Sequence, residues 1–378
     1  MHVLLLTDSY PNAYLPGQGS FVHDQAQCLA SQGMHVGVLA LIPVSWNDLL
    51  KKGFRDLKIT ARKEEGISVY QRCYAQIPRL YRYPIHKSLT AGKPMVKRYV
   101  AEFGKPDVLH VHGFHCAALA FWVAKEYEIP LVVTEHNSRI LNGTLDQARL
   151  RVAVDLYQRA NACIAVSRAL AKRMEALAGR SIEVVPNVID TDFFTPGMLR
   201  QECVFLSAGN FTANKNQLLQ LQAFAAARNQ MPDAQLWLAG DGEMLEVCKK
   251  YVLEHDLSNS VAFLGRLSRE ALRDRMQQAR VFLISSQHET FGVVAIEAMS
   301  CGLHVIATRC GGPEDILMEN GRLTAHDTES FAQAMIDAFT RQSEFPSHVN
   351  RQYALAHFGQ SAVGSALRSL YSRIIRQA

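Results

Sequence analysis

Short apolar segments recur along the first half of the chain, and amphipathic segments separate them. They occupy residues 3–6, 35–41, 108–111, 131–133, 162–165 and 182–185. Short apolar segments rich in β-branched residues predict buried strands, and the helical periodicity between them predicts helices. Because strands alternate with helices, the pattern predicts βαβ units and a parallel sheet.

The same pattern starts again near residue 204. A connection over residues 188–201 contains Pro196 and Gly197, and apolar segments follow at 204–208, 236–239, 261–264, 281–284 and 304–307. A chain of 378 residues exceeds one ordinary core, so we predict two domains, 1–190 and 191–360. Residues 361–378 form a predicted terminal helix, with apolar side chains at helical spacing (Val363, Leu367, Leu370 and Ile374).

Composition is that of a soluble globular protein, with 48% hydrophobic and 20% charged residues. The chain starts directly with an apolar strand and lacks the basic region and cleavage site of a signal peptide. No uncharged apolar stretch is long enough for a transmembrane helix. The eight cysteines show no C-x-x-C spacing, so we expect reduced, buried thiols. These features predict a cytoplasmic protein.

Two glutamates follow the segment 281–284. The sequence there is His288-Glu289-Thr290-Phe291-Gly292-Val293-Val294-Ala295-Ile296-Glu297. Ligands of parallel sheets bind beyond the carboxyl ends of the strands, and a helix that starts near Phe291 would offer free N–H groups to a diphosphate. Glu289 would then accept hydrogen bonds from sugar hydroxyls, and Glu297 from a ribose diol. The alternative is an ordinary helix with one capping and one solvated glutamate.

A lysine occupies the first strand-to-helix turn of the second domain. The turn is Gly209-Asn210-Phe211-Thr212-Ala213-Asn214-Lys215-Asn216. A glycine at a sharp turn followed by a lysine at a helix start suits an anionic ligand, because an unpaired cation there opposes the helix dipole. A solvated surface lysine is the alternative. Lysine and glutamate at two such turns make a purely structural protein the least favoured interpretation.

Motifs along nearly the whole chain resemble the family-4 retaining glycosyltransferases of GT-B fold. They are Pro106-Asp107-Val108-Leu109-His110-Val111-His112, Ile164-Ala165-Val166-Ser167, Val185-Pro186-Asn187, Leu238-Ala239-Gly240-Asp241-Gly242, Phe263-Leu264-Gly265-Arg266 and Gly311-Gly312-Pro313-Glu314. The resemblance implies an α/β fold in which two Rossmann-like domains with parallel sheets face an interdomain cleft. Residues 1–190 would bind the acceptor, residues 191–360 the nucleotide-sugar donor, and the helix 361–378 would pack back on the first domain.

The resemblance also implies the site residues. Glu289 would hold the donor sugar, Lys215 would neutralise the diphosphate leaving group, and His112 would lie near the transferring sugar. The implied donor-binding residues are Gly19, Gly209, Asn210, Arg266, Leu267, Phe291, Gly292, Val293, Val294 and Glu297, with the turn at Arg266 meeting the base and Glu297 the ribose.

Three positions depart from the family pattern. Asn210 replaces a common arginine, which removes one diphosphate cation, so either Asn210 hydrogen-bonds instead or Arg266 compensates. Val188 replaces a glycine at the hinge. Gly17-Gln18-Gly19 replaces a Gly-Gly pair, so only Gly19 takes over the backbone contact with the donor, and a plain surface loop is the alternative there.

The histidines do not predict a metal site. His110 and His112 alternate along a strand and share a face, and His115 and His136 are candidates for close neighbours. A metal needs three or four converging ligands, and no cysteine or acidic ligand is interleaved at metal spacing. The second domain also has no Asp-x-Asp motif. We therefore predict neither a metal nor any other cofactor.

The predicted function is retaining, metal-independent transfer of a sugar from a nucleotide-sugar donor, with UDP favoured. The predicted acceptor is a saccharide or a lipid-linked molecule of surface polysaccharide or glycolipid biosynthesis. The alternatives are a GT-B-fold nucleotide-sugar epimerase and a GDP-mannose-dependent transferase. A dinucleotide-dependent oxidoreductase is disfavoured, because no G-x-G-x-x-G follows any predicted strand.

Positive charge is concentrated in the first domain. Residues 51–105 hold 14 Lys/Arg and only four Asp/Glu, interleaved with Tyr70, Tyr74, Leu80, Tyr81 and Tyr83. Basic and aromatic residues together suit an anionic membrane surface, so one hypothesis is peripheral binding to the inner face of the cell membrane. A solvated basic face is the alternative. Nucleic-acid binding is disfavoured because no nucleic-acid motif accompanies the charge.

Overall fold

A computed structural model of the protein describes residues 1–14, 17–53, 57–76, 84–197, 204–341, 344 and 346–377. The chain divides into two compact units. Met1–Val188 and Gln360–Ala378 form unit 1, and Ile189–Gly359 form unit 2. Among the helices in these ranges, none has both the length and the apolar character that crossing a membrane requires.

The elements alternate between strand and helix in both units. Up to residue 188 they are β1 (His2–Thr7), α1 (Ser20–Ser31), β2 (His35–Ser45), α2 (Trp46–Lys52), β3 (Thr60–Glu64), β4 (Ile67–Gln76), α3 (Pro84–Phe103), β5 (Val108–His112), α4 (Ala117–Tyr127), β6 (Leu131–Glu135), α5 (Ser138–Leu141), α6 (Gln147–Arg159), β7 (Ala162–Ala165), α7 (Arg168–Ala178) and β8 (Glu183–Val184). Unit 2 follows with β9 (Val204–Ala208), α8 (Gln217–Ala227), β10 (Gln235–Ala239), α9 (Leu245–Glu254), β11 (Val261–Gly265), α10 (Arg269–Gln278), β12 (Val281–Ile284), α11 (Val293–Ser300), β13 (His304–Thr308), α12 (Gly312–Leu317), β14 (Arg322–Thr324), α13 (Thr328–Thr340) and α14 (Ser347–Phe358). The last helix, α15 (Gln360–Gln377), belongs to unit 1.

Unit 1 is built on an eight-stranded sheet with the order β3-β4-β2-β1-β5-β6-β7-β8. The strands from β4 to β8 pair in parallel, as the sequence predicts. The edge strand β3 pairs with β4 in antiparallel orientation, so the sheet is mixed rather than wholly parallel. The sequence does not predict this hairpin, because β3 (Thr-Ala-Arg-Lys-Glu) is mostly polar. Its residues alternate between partly buried and exposed, and none is fully buried.

Unit 2 contains a six-stranded, wholly parallel sheet with the order β11-β10-β9-β12-β13-β14. The strand order reverses between β9 and β12, and in unit 1 it reverses between β1 and β5. Ligands of open α/β sheets bind beyond the carboxyl ends of strands at such reversals. The topology therefore directs attention to the turns after β1, β5, β9 and β12.

The terminal helix predicted at 361–378 is α15, and it packs against α1 within unit 1. Val363, Leu367, Leu370, Tyr371 and Ile374 are buried in the hydrophobic core that α1 shares with β1, β2 and β4. The two helices approach closely, since a Cβ at Gly364 would come within 3.0 Å of the Cys28 sulfur. The described boundary between the units, at Val188 and Ile189, lies two residues before the predicted one.

Candidate active site

The two turns that the sequence singled out in unit 2 lie side by side. Strands β9 and β12 are hydrogen-bonded neighbours, so the turns that follow them leave the same edge of the sheet. Asn214 joins the turns with its side chain: its amide nitrogen donates to the His288 carbonyl oxygen (3.0 Å), and its amide oxygen accepts from the His288 N–H (3.1 Å). The Gln287 N–H also donates to the Asn214 carbonyl oxygen (2.7 Å).

Lys215 and Glu289 form an ion pair across the two turns. The Lys215 Nζ donates to the Glu289 Oε2, and the Ser286 hydroxyl approaches the same oxygen at 3.5 Å. The side chains are 31% and 16% exposed, respectively, so a ligand can reach both. The structure thus brings together two residues, 74 positions apart in the chain, for which related roles are predicted.

A third turn fixes the backbone of Glu289. The Glu289 N–H donates to the Cys310 carbonyl oxygen (2.8 Å), and the Gly312 N–H donates to the Glu289 carbonyl oxygen (2.7 Å). Gly312 has to be glycine, because a Cβ there would lie 2.3 Å from the Phe291 backbone. The backbone of Glu289 is therefore held on both sides by hydrogen bonds to this third turn.

Helix α11 begins later than the sequence predicts. The predicted start was near Phe291, but Phe291 is buried outside the helix, and Gly292 has φ +98° and precedes the first helical residue, Val293. A φ of this sign interrupts the right-handed helix, which explains the shift. Val293 and Val294, in the first turn, carry N–H groups that an α-helix leaves without intrahelical partners. Glu297, one turn further on, is 7% exposed.

Buried polar side chains hold the backbone of the turn that carries Lys215 by hydrogen bonds. The Ser285 hydroxyl donates to the Lys215 carbonyl oxygen (2.7 Å), and the Gln220 amide donates to the hydroxyls of Ser285 (2.9 Å) and Ser207 (3.0 Å). Gln217 donates to the Asn210 carbonyl oxygen (3.1 Å). Sequence analysis missed this layer, whose only signal is two glutamines on the inward face of α8.

Gly209 has room for a side chain. A Cβ there would come no closer than 3.8 Å to any atom, with the Lys215 Cδ as its nearest neighbour. By contrast, a Cβ at Gly240 would lie 1.9 Å from the Gly209 carbonyl oxygen. The fold therefore requires glycine at 240 but not at 209.

The remaining predicted donor residues of unit 2 lie near the same turn. Asn210 is exposed, and the Phe211 N–H after it donates to the Asp241 carbonyl oxygen (3.0 Å). The side chain of Asp241 pairs with Arg266 at 3.4 Å, with 54% and 68% of the two side chains exposed. Asp241 thus links Arg266 to the turn in which Asn210 replaces the usual arginine. Leu267, the residue after Arg266, is partly exposed.

In unit 1, Gly19 begins α1 in a left-handed conformation, with φ +71°. A Cβ at this position would lie 2.3 Å from the Ser9 carbonyl group. The close approach to Ser9 accounts for the glycine by itself. The donor contact assigned to Gly19 therefore stays a prediction.

His112 is the last residue of β5 and is 3% exposed. Its Nδ1 lies 3.0 Å from the Nε2 of His136, and its ring stacks on those of His110 and His136, with centroids 4.6 and 5.3 Å away. The predicted common face of His110 and His112 is confirmed. His136 also meets the expectation of a close neighbour, whereas His115 pairs with Asp8 at 3.0 Å.

Burial keeps these stacked rings neutral. It lowers the pKa of His112 to about 3, and together with the neighbouring histidines it moves the pKa of His110 and of His136 well below the ordinary value. Burial opposes protonation of His115 too, but the hydrogen bond and charge of Asp8 outweigh it and raise the pKa of His115. Within the described ranges, no three His, Cys, Asp or Glu side chains are grouped to hold a metal ion.

Two family models match adjoining parts of the chain that overlap by a few residues. The model for glycosyltransferase family 4 matches residues 16–193, and the model for group 1 glycosyl transferases matches residues 188–353. Together they run from the loop before α1 to α14, and the second contains both Lys215 and Glu289.

Similar proteins include a phosphatidyl-myo-inositol mannosyltransferase from Mycolicibacterium smegmatis, which is 28% identical over 294 residues, 74% of each chain. Among solved structures, sucrose-phosphate synthase from Thermosynechococcus elongatus aligns over 100% of both chains at 21% identity with a TM-score of 0.78. Anabaena HepE in complex with UDP and glucose aligns over 98% of this chain and 99% of its own, at 19% identity and a TM-score of 0.73. The two family models together cover residues 16–353, and the solved structures share the fold. The chain therefore belongs to the group 1, family 4 glycosyltransferases with the GT-B fold.

Proposed function

We propose that the protein transfers a sugar, with retention of anomeric configuration, from a UDP-sugar to a saccharide or lipid-linked acceptor. The observation that carries the proposal is the Lys215–Glu289 pair at the carboxyl edge of the unit 2 sheet, next to the start of α11. His112 of unit 1 is assigned to the transferring sugar, as the family resemblance implies.

The diphosphate is the group that this edge suits best. Lys215 supplies a positive charge, and the first-turn N–H groups of α11 add hydrogen-bond donors at the positive end of a helix. Sugar transfer places negative charge on the leaving diphosphate, so fixed donors of this kind lower the barrier. The space at Gly209 lets a phosphate approach Lys215 closely.

Binding of the diphosphate would release Glu289. With Lys215 turned to phosphate, the Glu289 carboxylate is free to accept hydrogen bonds from sugar hydroxyls. Its backbone is held by Cys310 and Gly312, so little ordering is needed when the sugar arrives. Glu297 is proposed to accept from the ribose, and Arg266 with Leu267 to meet the base.

A panel of nucleotides tests the donor. The complex of HepE with UDP and glucose favours uridine, while the mannosyltransferase relative makes GDP-mannose the second candidate. We expect UDP to raise the melting temperature more than GDP or ADP at equal concentration, because only the bound folded state is stabilised. A larger shift with GDP, and with GDP-mannose among the sugars, would favour the second candidate.

Incubation of the donor alone separates the transferase from a GT-B-fold epimerase. An epimerase converts the sugar nucleotide without any acceptor, whereas a transferase needs an acceptor or releases free sugar by slow hydrolysis. The anomeric configuration of the product, read by proton NMR, tests retention. An inverted product would reject the retaining mechanism.

Independence from divalent metals is also part of the proposal, because Lys215 and helix N–H groups are assigned the role of a metal at the diphosphate. Activity should persist in excess EDTA. Loss of activity that Mg²⁺ or Mn²⁺ restores would contradict it.

We further propose that unit 1 docks on anionic membranes to reach a lipid-linked acceptor. The structure narrows the basic segment that supports this: Lys97 and Arg98 on α3 are exposed, while Lys93 lies over the Trp122 ring at 4.9 Å. Tyr70 is 2% exposed and belongs to the core, so it cannot serve as the interfacial aromatic residue we expected. Leu80, Tyr81 and Tyr83 lie outside the described residues.

The exposed face of α2 adds apolar contacts to the charge. Trp46 is 46% and Leu50 62% exposed, one turn apart on the helix, and Lys51 is exposed beside them. A tryptophan and a leucine next to lysines suit the boundary between headgroups and acyl chains. Each lysine or arginine near an anionic surface contributes about 1 kcal/mol.

Co-sedimentation with liposomes tests the membrane proposal. Binding should require anionic lipid, weaken with salt, and fall when the exposed Lys97 and Arg98 are replaced by glutamine. Replacement of Lys249 and Lys250, exposed on α9 of unit 2, is the matched control and should leave binding unchanged. Equal or absent binding to neutral and anionic vesicles would reject the proposal.

A further inference from the structure

A chain of buried polar side chains in unit 1 connects the terminal helix α15 to His112. The Tyr371 hydroxyl lies 2.6 Å from the Nδ1 of His110. The Gln25 side-chain nitrogen, on α1, lies 3.3 Å from the same Nδ1 and 3.5 Å from the Nε2 of His112. All four side chains are buried, with Gln25 the most exposed at 6%.

We propose that Gln25, held in place by Tyr371, is a positioning residue that fixes the orientation and tautomer of His112. The inference rests on the proposed function only in so far as His112 is taken to contact the sugar. Gln25 itself is not proposed to touch the substrate.

The tautomer follows from counting donors. With its amide nitrogen toward the rings, Gln25 can only donate, so the Nε2 of His112 has to be the bare, accepting nitrogen. The Nδ1 of His112 then carries the hydrogen and donates to the Nε2 of His136 (3.0 Å). The opposite tautomer would place two N–H groups against each other inside the core.

The same count is consistent at the other end of the chain. His110 accepts at Nδ1 from the Tyr371 hydroxyl and donates from Nε2 to the Thr134 hydroxyl oxygen (2.7 Å). Gln25 also hydrogen-bonds Tyr371, whose oxygen remains free to accept. The donors of Tyr371, Gln25, His110 and His112 therefore each meet an acceptor, as a buried network requires.

The distal ring has its own support. The Glu135 carboxylate accepts from the His136 and Asn137 N–H groups (2.9 Å each) and from the Tyr157 hydroxyl (2.6 Å). The backbone that carries His136 is therefore fixed, and the position of His112 is set from both sides. Gln25 supplies the contact on the side of α1 and α15.

The test changes the polarity of the Gln25 contact. Gln25→Leu removes the donor, and Gln25→Glu replaces it with an acceptor of nearly the same shape. Tyr371→Phe removes only the hydroxyl that holds the network. The control is Gln71→Leu, since Gln71 is also a buried glutamine of unit 1, but its amide accepts from Arg62.

Nitrogen-15 NMR of labelled histidines reports the tautomer directly. The His112 signals are assigned by their absence in His112→Gln. We expect an Nδ1–H His112 in the wild type and in Gln71→Leu, a mixture in Gln25→Leu, and an Nε2–H ring in Gln25→Glu. An Nε2–H ring in the wild type, or a tautomer unchanged in all three network variants, would overturn the inference. Should Gln25→Leu fail to fold, the same NMR measurement of the His112 tautomer is made on Gln25→Glu and Tyr371→Phe.

Kinetics test the consequence for transfer. Gln25→Leu should lower kcat about tenfold, while the Kd for UDP stays within about twofold of wild type, because UDP is assigned to unit 2. A changed tautomer with unchanged kcat would refute the positioning role. Absence of turnover in the wild type would count against the proposed function alone, since the NMR measurement needs no turnover.

Discussion

Lys215 and Glu289 hold each other in an arrangement that a ligand can open. Both side chains are partly exposed, and ion pairs of this kind contribute at most about 1 kcal/mol. A diphosphate that takes over Lys215 replaces one carboxylate with a more highly charged partner. Under the proposed function, the two residues would keep one another ordered and neutralised until the donor binds.

We expect Lys215→Ala and Glu289→Ala each to lower turnover at least tenfold, a loss of about 1.4 kcal/mol or more of transition-state stabilisation. Neither change should lower the melting temperature by more than a few degrees, since the pair contributes little to stability. Release of UDP from the donor measures turnover. Lys249→Ala, which breaks the exposed pair of Lys249 with Glu246 on α9, is the control. Wild-type turnover by either site variant would refute the assignment.

Gly209 and Gly240 provide a matched pair for separating function from folding. Gly209→Ala should leave stability unchanged, because the nearest atom to the added Cβ would be the Lys215 Cδ, 3.8 Å away. It should nevertheless weaken UDP binding about tenfold, since the methyl group fills space beside Lys215. Gly240→Ala should destabilise the protein, because its Cβ would lie 1.9 Å from a carbonyl oxygen.

Calorimetric titration with UDP and thermal melting distinguish the two effects. A folded Gly209→Ala variant that binds UDP as tightly as wild type would show that the space beside Lys215 is not a ligand position. A Gly240→Ala variant of wild-type stability would contradict the steric argument.

Some residues of the candidate site could be predicted from the sequence and others could not, for a physical reason. Lys215 and Glu289 stand in polar turns after apolar strands, where their charge is visible. Their direct contact depends on β9 and β12 being neighbours in the sheet, which no local pattern encodes. Gln25 gave one signal only: a polar residue in line with the buried Val22 and Leu29 of α1.

At the scale of elements, the first turn of helix α11 and the strand β5 position the residues of the candidate site. Gly292 ends the segment between β12 and α11 with a positive φ, and this conformation sets where the free N–H groups of α11 begin. The sequence predicts a helix start near Phe291, and the positive φ of Gly292 moves the first helical residue to Val293. Strand β5 places His110 and His112 on one face, as its alternation predicts.

The histidines stacked on β5 should make folding sensitive to acid. His112 has a pKa of about 3 in the folded protein because burial disfavours its charged form, whereas the unfolded chain protonates it near its ordinary value. The contribution of His112 to stability is therefore full above the unfolded pKa and falls by about 2 kcal/mol as the pH drops from 7 to 5.

Urea denaturation at pH 7 and pH 5 checks this expectation. His112→Gln should lose about 2 kcal/mol less between the two pH values than the wild type does. His348→Gln, at an exposed position on α14, should retain the wild-type loss. Equal pH dependence of His112→Gln and the wild type would contradict a lowered pKa of His112 in the folded protein.

At the scale of the whole molecule, the apolar pattern predicts both sheets, and β7, β9 and β12 match their predicted bounds. The pattern fails at β3, β4 and β14, which lie toward the sheet edges and carry many polar residues. This failure matters for the proposed membrane binding, because the basic segment 51–105 contains both missed strands of unit 1. Part of its aromatic content, Tyr70 above all, therefore belongs to the core.

The last helix ties the two ends of the chain together in one core. The chain leaves unit 1 at Val188, forms all of unit 2, and returns with α15 to pack on α1. Truncation after Gly359 would remove five buried side chains of this core, Val363, Leu367, Leu370, Tyr371 and Ile374. Burial of each contributes about 1.5–3 kcal/mol, so the loss is comparable to the total stability of a domain.

We therefore expect the chain truncated after Gly359 to lose the folded unit 1 and to keep unit 2, which α15 does not complete. Calorimetry should show one unfolding transition, with a smaller unfolding enthalpy than that of the full chain. The truncated chain should still bind UDP but should show no transfer activity. Leu367→Ala in the full chain is the graded control and should destabilise unit 1 by about 2–5 kcal/mol without affecting UDP binding. Transfer by the truncated chain, or loss of UDP binding with it, would show that the two units do not divide the fold and the donor site as proposed.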